Sequence, residues 1–211
     1  MNRLPSTVRQ LIAALRGLLL FTVICGIIYP VVMFGIAQVA FHKQANGSLV
    51  SYHGRVVGSS LLCQEFTDAR GNPLPQYFQP RPSAATSGAK TDYGCDPLYS
   101  AASNLGPTNP DLVSAIKARQ AQIARFDHVS VSRIPPDAVT ASASGLDPYI
   151  SPRSAAIQVN RVAAARHVSP AAIMALVRQH TKGRPLGFLG EPRVTVLTLN
   201  IALDERYPVS R

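Results

Sequence analysis

From Gly17 to Phe41 the chain carries no formally charged residue, and this stretch constrains the rest of the molecule. A helix rising about 1.5 Å per residue over that run reaches roughly 37 Å, enough to cross a hydrocarbon core of about 30 Å with some tilt. Hydrocarbon offers no water to backbone N–H and C=O groups, so the segment must bond to itself, as a helix does. Pro30 sits in mid-run and is expected to kink that helix. Gly26 and Gly35 leave room for a neighbouring helix, and Gln38 stands where it can reach headgroups or a partner. The run exceeds the apolar core of about 7–15 residues of a cleaved signal peptide, and Gln38-Val39-Ala40 is a poor cleavage site. The reading is residues 1–12 as a cytoplasmic tail, 13–41 as a retained span and 42–211 as an external domain. Arg3, Arg9 and Arg16 precede the uncharged run with no acidic residue, whereas Lys43 and Arg55 are the near basic residues after it. The positive-inside rule then puts the N-terminus in the cytoplasm.

Charge and composition narrow the classes further. Charged residues are only 15% and apolar ones 46%, which excludes a disordered chain. The balance is 21 Lys+Arg against 11 Asp+Glu, a net +10, and all the acidic residues lie after the span. Part of the excess is therefore topogenic, and the external portion is still net positive. Gln158 to His180 can be drawn as helix, turn and helix, with Arg178 on a reading helix, which together with the basic charge suggests DNA. Helices this rich in alanine offer few base-reading side chains, and an external domain meets no DNA, so no nucleic-acid partner is expected.

The external portion reads as α+β: a single N-terminal transmembrane helix followed by a mixed α/β domain. Residues 44–109 are rich in Gly, Pro, Ser and Asn, with a strand-like piece at Gly54–Leu62 and no long helix. Asn109-Pro110-Asp111, Ser151-Pro152 and Ser169-Pro170 each place a capping oxygen before a proline at the first helical position. Leu112, Val113, Ile116, Ile123 and Phe126 lie on one side of the first of these helices. Arg193 to Leu203 alternates as a strand, with a slip of phase between Val196 and Leu197 that suggests a bulge.

Catalytic and metal motifs do not emerge. Gly88-Ala89-Lys90-Thr91 lacks the order and spacing of a phosphate-binding loop. No Asp-Lys-Thr-Gly sequence is present to form an aspartyl phosphate. The five histidines are scattered, with no metal-ligand spacing. Ser144-Gly145-Leu146-Asp147 reads as turn chemistry rather than a nucleophile elbow. The expectation is no catalytic residue, no metal and no tightly bound cofactor. Cys63 and Cys95 can form a disulfide in an oxidising compartment or remain two thiols, and the sequence leaves both open.

An ordered set of blocks carries a resemblance. Ala45–Val50 follows the span, then come Tyr77–Ala84, Ser103–Pro110, Thr140–Pro152, Gln158–Ala163, and Leu189–Asn200. The chain resembles, over nearly its whole length, the C subunit of the bacterial Kdp potassium-transporting ATPase, with Tyr149 standing where that family often has histidine. The resemblance implies a non-catalytic subunit of a bacterial inner-membrane complex, with its external domain in the periplasm. The implied partners are an ATP-hydrolysing P-type subunit, a channel-like potassium-binding subunit and a small membrane peptide, together with the lipid bilayer. It implies an assembly factor and catalytic chaperone that raises the ATP affinity of the P-type subunit, with Gln158, Arg161 and Ser154 as the ATP-related residues. ATP is inside and these residues are expected outside, so coupling through the span is the simpler physical account. The alternative is a domain that gathers potassium at the outer mouth of the channel-like subunit through Asp68, Asp92, Asp96 and Asp147. Asp147 has a plainer reading, as the turn residue that fixes Leu146–Ile150.

Overall fold

The computed structural model describes residues 5–89 and 94–209. The chain divides into two compact units, Met1–Ser48 and Leu49–Arg211.

The first unit is helical. Helix α1 (Ser6–Val23) runs into a π-helical turn, Ile24–Ile28, and continues as α2 (Tyr29–Ala40). The stretch Ser6–Ala40 is long and apolar enough to cross a membrane, and its apolar window is not buried by the rest of the chain. The wider turn explains how Pro30 is tolerated. Its ring would clash with the carbonyl four residues back, and it has no N–H to donate. One extra residue in the preceding turn lets the Tyr29 N–H bond to the Ile24 carbonyl, so the ladder is re-satisfied without a break. The helix stops at Phe41 (φ −134°, ψ 39°), and a single turn, α3 (His42–Ala45), follows. The Asn46 amide donates to Gln38 Oε1 at 3.0 Å and to the His42 carbonyl at 2.7 Å, which occupies Gln38 within the chain itself.

The second unit opens with a hairpin, β1 (Leu49–Tyr52) against β2 (Arg55–Ser59), with a bulge between Val50 and Ser51. The turn residues His53 and Gly54 both have positive φ, the geometry that matches a two-residue turn to the twist of its strands. Among the described residues no helix lies between Asn46 and Asn109. This stretch is held by loops and by the Cys63–Cys95 disulfide, which closes a loop over a sequence separation of 32. Loop closure of that length stabilises by roughly 3–4 kcal/mol in the chain-entropy account.

Three helices begin where their caps predict. Asn109 accepts from the Asp111 N–H and starts α4 (Pro110–Phe126). Ser151 accepts from the Ser154 N–H at 3.0 Å and starts α5 (Pro152–Ala165). Ser169 accepts from the Ala172 N–H at 3.3 Å and starts α6 (Pro170–Gln179). Helix α4 has no fully buried residue, and Val113 on its expected inner side is exposed. A small antiparallel sheet has the order β3 (Tyr149–Ile150), β5 (Arg193–Thr195), β4 (Thr181–Lys182). Its face and helices α5, α6 and α7 (Val196–Arg206) enclose the core of Phe78, Ile150, Val162, Ile173, Val194, Val196, Leu199 and Leu203.

One expectation is corrected. The strand expected over Arg193–Leu203 ends at Thr195, and Val196–Arg206 is helix α7. The apparent bulge is the switch from strand to helix. Val196, Leu199, Asn200 and Leu203 are buried at spacings of three, one and three, the face of a helix. The β-branched and leucine-rich composition imitated a strand because Asn200, a polar residue, occupies one of those core positions.

His180 caps the C-terminal end of α6 and is half-buried. Burial holds its pKa below the ordinary 6.5, with Glu205 opposing in part. The unfolded chain therefore takes up a proton before the folded one does. The resulting stability is present above about pH 6.5 and is lost as the pH falls below it, until the folded imidazole also charges. We expect the thermal midpoint of the full chain in detergent to fall on acidification through that window, and His180→Gln to flatten the fall. Equal slopes for the two proteins would contradict this.

Candidate functional site

Ser154, Gln158 and Arg161 are spaced by four and three residues, so they share one face of α5. Helix α5 is fixed at its start by Ser151, whose N–H and hydroxyl both donate to the Asp137 carboxylate at 2.8 and 2.9 Å. The face does not look out to solvent. Ser154, Gln158 and Arg161 are 2%, 6% and 7% exposed. They confront the C-terminal end of α4 and the irregular segment 75–79.

Arg161 uses its guanidinium fully inside the fold. Its Nε donates to Asp127 Oδ1 at 2.7 Å, Nη1 to the carbonyls of Pro75 (2.6 Å) and Tyr77 (2.8 Å), and Nη2 to Gln158 Oε1 at 2.8 Å. Its charged plane also lies over the Phe126 ring, 4.3 Å from the centroid. Gln158 Oε1 accepts in addition from the Gln79 N–H at 2.8 Å, and its Nε2 donates to the Gln79 carbonyl at 3.2 Å. Asp127 caps α4 from within, 4% exposed. Burial pushes the Asp127 carboxyl up and the Arg161 guanidinium down, each partly offset by the attraction of the other.

Neighbouring side chains complete the same task. Asn200 accepts from the Phe78 N–H and donates to the Phe78 carbonyl, both at 2.9 Å. Arg166 donates to the carbonyls of Gln76 and Tyr207 and to Asp204, at 2.8, 2.7 and 2.8 Å. Asp204 also accepts from the Tyr77 hydroxyl at 3.0 Å, and burial, then that carboxylate, raises the Tyr77 pKa. Asp127, Arg166, Asn200, Asp204 and Gln79 were not singled out from the sequence. Only Asn200 carried a signal, a polar residue at a core position of a helix, visible once α7 is drawn as a helix.

An open cleft of about 410 Å³ adjoins this network, lined among others by Gln79, Arg81, Arg119, Gln122, Phe126 and Ser154. Arg119 donates to the Val139 carbonyl at 3.0 Å. Arg81 pairs with Asp147 at 2.9 Å, with both side chains about one-quarter exposed.

The acidic candidates are engaged locally. Asp147 also accepts from the Tyr149 N–H at 3.0 Å, as a turn residue should. Asp68 accepts from the N–H groups of Arg70 and Asn72 and from the Asn72 amide, at 2.8, 2.9 and 3.0 Å. The Asn72 bonds, first that of its side chain, hold the Asp68 carboxyl below its usual range. Asp96 accepts from the Leu98 N–H at 2.9 Å. Asp92, like Lys90 and Thr91, lies outside the described residues. Among the described residues no three His, Cys, Asp or Glu side chains form a metal-binding group.

An apolar helix long enough to span a bilayer, followed by a small α+β unit tied together by buried side-chain bonds, fits a single-pass membrane-associated protein. The model of the K+-transporting ATPase C-chain family, KdpC, matches residues 11–205. The chain is 50% identical to the potassium-transporting ATPase KdpC subunit of Dechloromonas aromatica, over 88% of this chain and 91% of that one. It is 46% identical to the KdpC subunit of Kineococcus radiotolerans, over 97% of this chain and 98% of that one. The KdpC subunit of Geobacter sulfurreducens is also 46% identical, over 95% of this chain and all of its own length. The chain belongs to the KdpC family.

Removing Arg161 would leave Asp127 buried without its counter-charge, and two backbone carbonyls without donors. Arg161→Met is expected to cost about 3–5 kcal/mol, as for other broken buried pairs. Adding Asp127→Leu should restore part of it, read from denaturant melts of the full chain. A stability unchanged by Arg161→Met would contradict the assignment.

Proposed function

We propose that this chain is the non-catalytic C subunit of a potassium-transporting ATPase, held by one span in the bacterial inner membrane. The observation that carries the reading is membership of the KdpC family across residues 11–205, joined to the single apolar helix Ser6–Ala40. Its partners in this reading are an ATP-hydrolysing P-type subunit, a channel-like potassium-binding subunit and a small membrane peptide.

The N-terminus faces the cytoplasm and the unit from Leu49 onward faces the periplasm. The basic residues before the span support this orientation. The Cys63–Cys95 disulfide supports it independently, because such bonds persist in oxidising compartments.

The subunit assembles and stabilises the complex, and acts as a catalytic chaperone that raises the ATP affinity of the P-type subunit. It does so without holding nucleotide itself. Gln158 and Arg161 are already bonded within the fold, and ATP lies on the other side of the membrane. A span that contacts the pump differently in two of its states biases the equilibrium between them, and with it the affinity for ATP. Gathering potassium at the outer mouth is the lesser reading, since Asp68, Asp96 and Asp147 each serve a local turn or ion pair.

Extraction in mild detergent with a tag on this chain should recover a stoichiometric complex with ATPase activity. The complex prepared without this chain should need more ATP for half-maximal turnover. Recovery of the chain alone from cells expressing the whole system would contradict the reading.

A further inference from the structure

Strands β4 and β5 are joined by the loop 183–192, and its tip is apolar and exposed. Leu186 is 81%, Phe188 71% and Leu189 47% exposed. The tip has a built shape. The Gly187 N–H donates to the Arg184 carbonyl and the Leu189 N–H to the Pro185 carbonyl, both at 3.0 Å. Arg184 and Glu191 pair across the loop at 2.8 Å. Leu186 holds φ +52°, a left-handed conformation unfavourable for a bulky residue, while its side chain is turned to solvent. None of these three side chains belongs to the core, so folding of the unit does not account for them.

Two further observations say what covers the tip. Its base is basic: Lys182, which is exposed, pairs in register on β4 with Arg193 on β5, which is half-buried with its guanidinium 4.9 Å from the Tyr149 ring centroid, and Glu191 is the loop's sole acidic residue, already matched by Arg184. Apolar side chains beyond a cationic collar are the pattern that enters the headgroup and acyl boundary of an anionic bilayer. The same chain also carries a membrane-crossing helix that ends at Ala40, while the folded unit starts at Leu49. A tether that short keeps the unit near a bilayer surface and raises the effective concentration of lipid around it.

We propose that the loop 183–192 is a second membrane contact. Leu186, Phe188 and Leu189 insert into the interfacial layer of a leaflet containing anionic phospholipid, and Lys182 faces its headgroups. The proposal rests on the apolar helix serving as a bilayer span, but not on the complex or on which side the unit lies.

The chain has no tryptophan, so Phe188→Trp gives one fluorophore at the tip, and Leu98→Trp, at a position 84% exposed elsewhere, gives a control. Each full-length variant is reconstituted in phosphatidylglycerol–phosphatidylcholine vesicles, with and without brominated acyl chains. Circular dichroism and retained Cys63–Cys95 oxidation show that each is folded. The F188W emission should be blue-shifted relative to L98W and lose most of its intensity to brominated lipid, and exchange of phosphatidylglycerol for phosphatidylcholine should weaken that loss. Emission at the solvent-exposed wavelength, quenched by aqueous iodide and not by brominated lipid, would overturn the proposal. So would an F188W indole shielded from both quenchers in the purified complex, the outcome expected of a protein partner. Failure of the chain to insert in any vesicle, with L98W and F188W both lost in the soluble or aggregated fraction, would overturn the span reading instead.

Discussion

The fold depends on how the segment from Pro75 to Gln79 is pinned, so that its Phe78 stays inside. It carries Phe78 into the core at 0% exposure, yet it belongs to no strand and no helix. Buried backbone without a ladder must find other partners or lose a few kcal/mol per orphaned group. Here side chains supply them. Arg161 takes the carbonyls of Pro75 and Tyr77, Arg166 takes that of Gln76, and Asn200 and Gln158 each take both backbone groups of a single residue. Helices α5 and α7 thus act on this segment as a sheet edge would, and Asp127 balances the charge that this arrangement buries.

That arrangement determines what the face of α5 is able to do. A guanidinium with four of its five N–H groups bonded inside the fold has little left for an external ligand. The same holds for a carboxamide engaged at both ends. Of the three, Ser154 and Gln158 line the open cleft and Arg161 does not. The residues that a family resemblance ties to ATP are therefore accounted for by the packing of this unit. Their loss would disturb any activity that needs the unit folded and assembled, whether or not nucleotide comes near.

Local signals made much of the architecture legible. The uncharged run marks the long apolar helix, and the Asn-Pro and Ser-Pro pairs mark three helix starts, because a capping oxygen and a fixed φ act within a few residues. The composition of Arg193–Leu203 favours a strand, and only packing against α6 and the sheet makes a helix of Val196 onward. The cysteine pairing was open because it depends on a distance across 32 positions of irregular chain. The polar network was hidden for a similar reason: Asp127 caps the end of α4 and Arg161 lies in α5, and nothing local at either announces the partner. The apolar tip at Leu186–Leu189 has no signature of its own in the sequence, since exposure of an apolar side chain is a tertiary property.

The central claim is that Gln158 is a structural clamp on Gln79 and acts on the pump only through folding and assembly. Gln158→Ala in the intact complex tests it most directly, with three quantities followed together: the thermal midpoint of this chain, its stoichiometry in the purified complex, and the ATP concentration for half-maximal turnover per assembled complex. The account predicts a lower midpoint and poorer incorporation, with an unchanged ATP requirement in the complexes that do assemble. A variant that melts and assembles normally, yet needs more ATP, would contradict it.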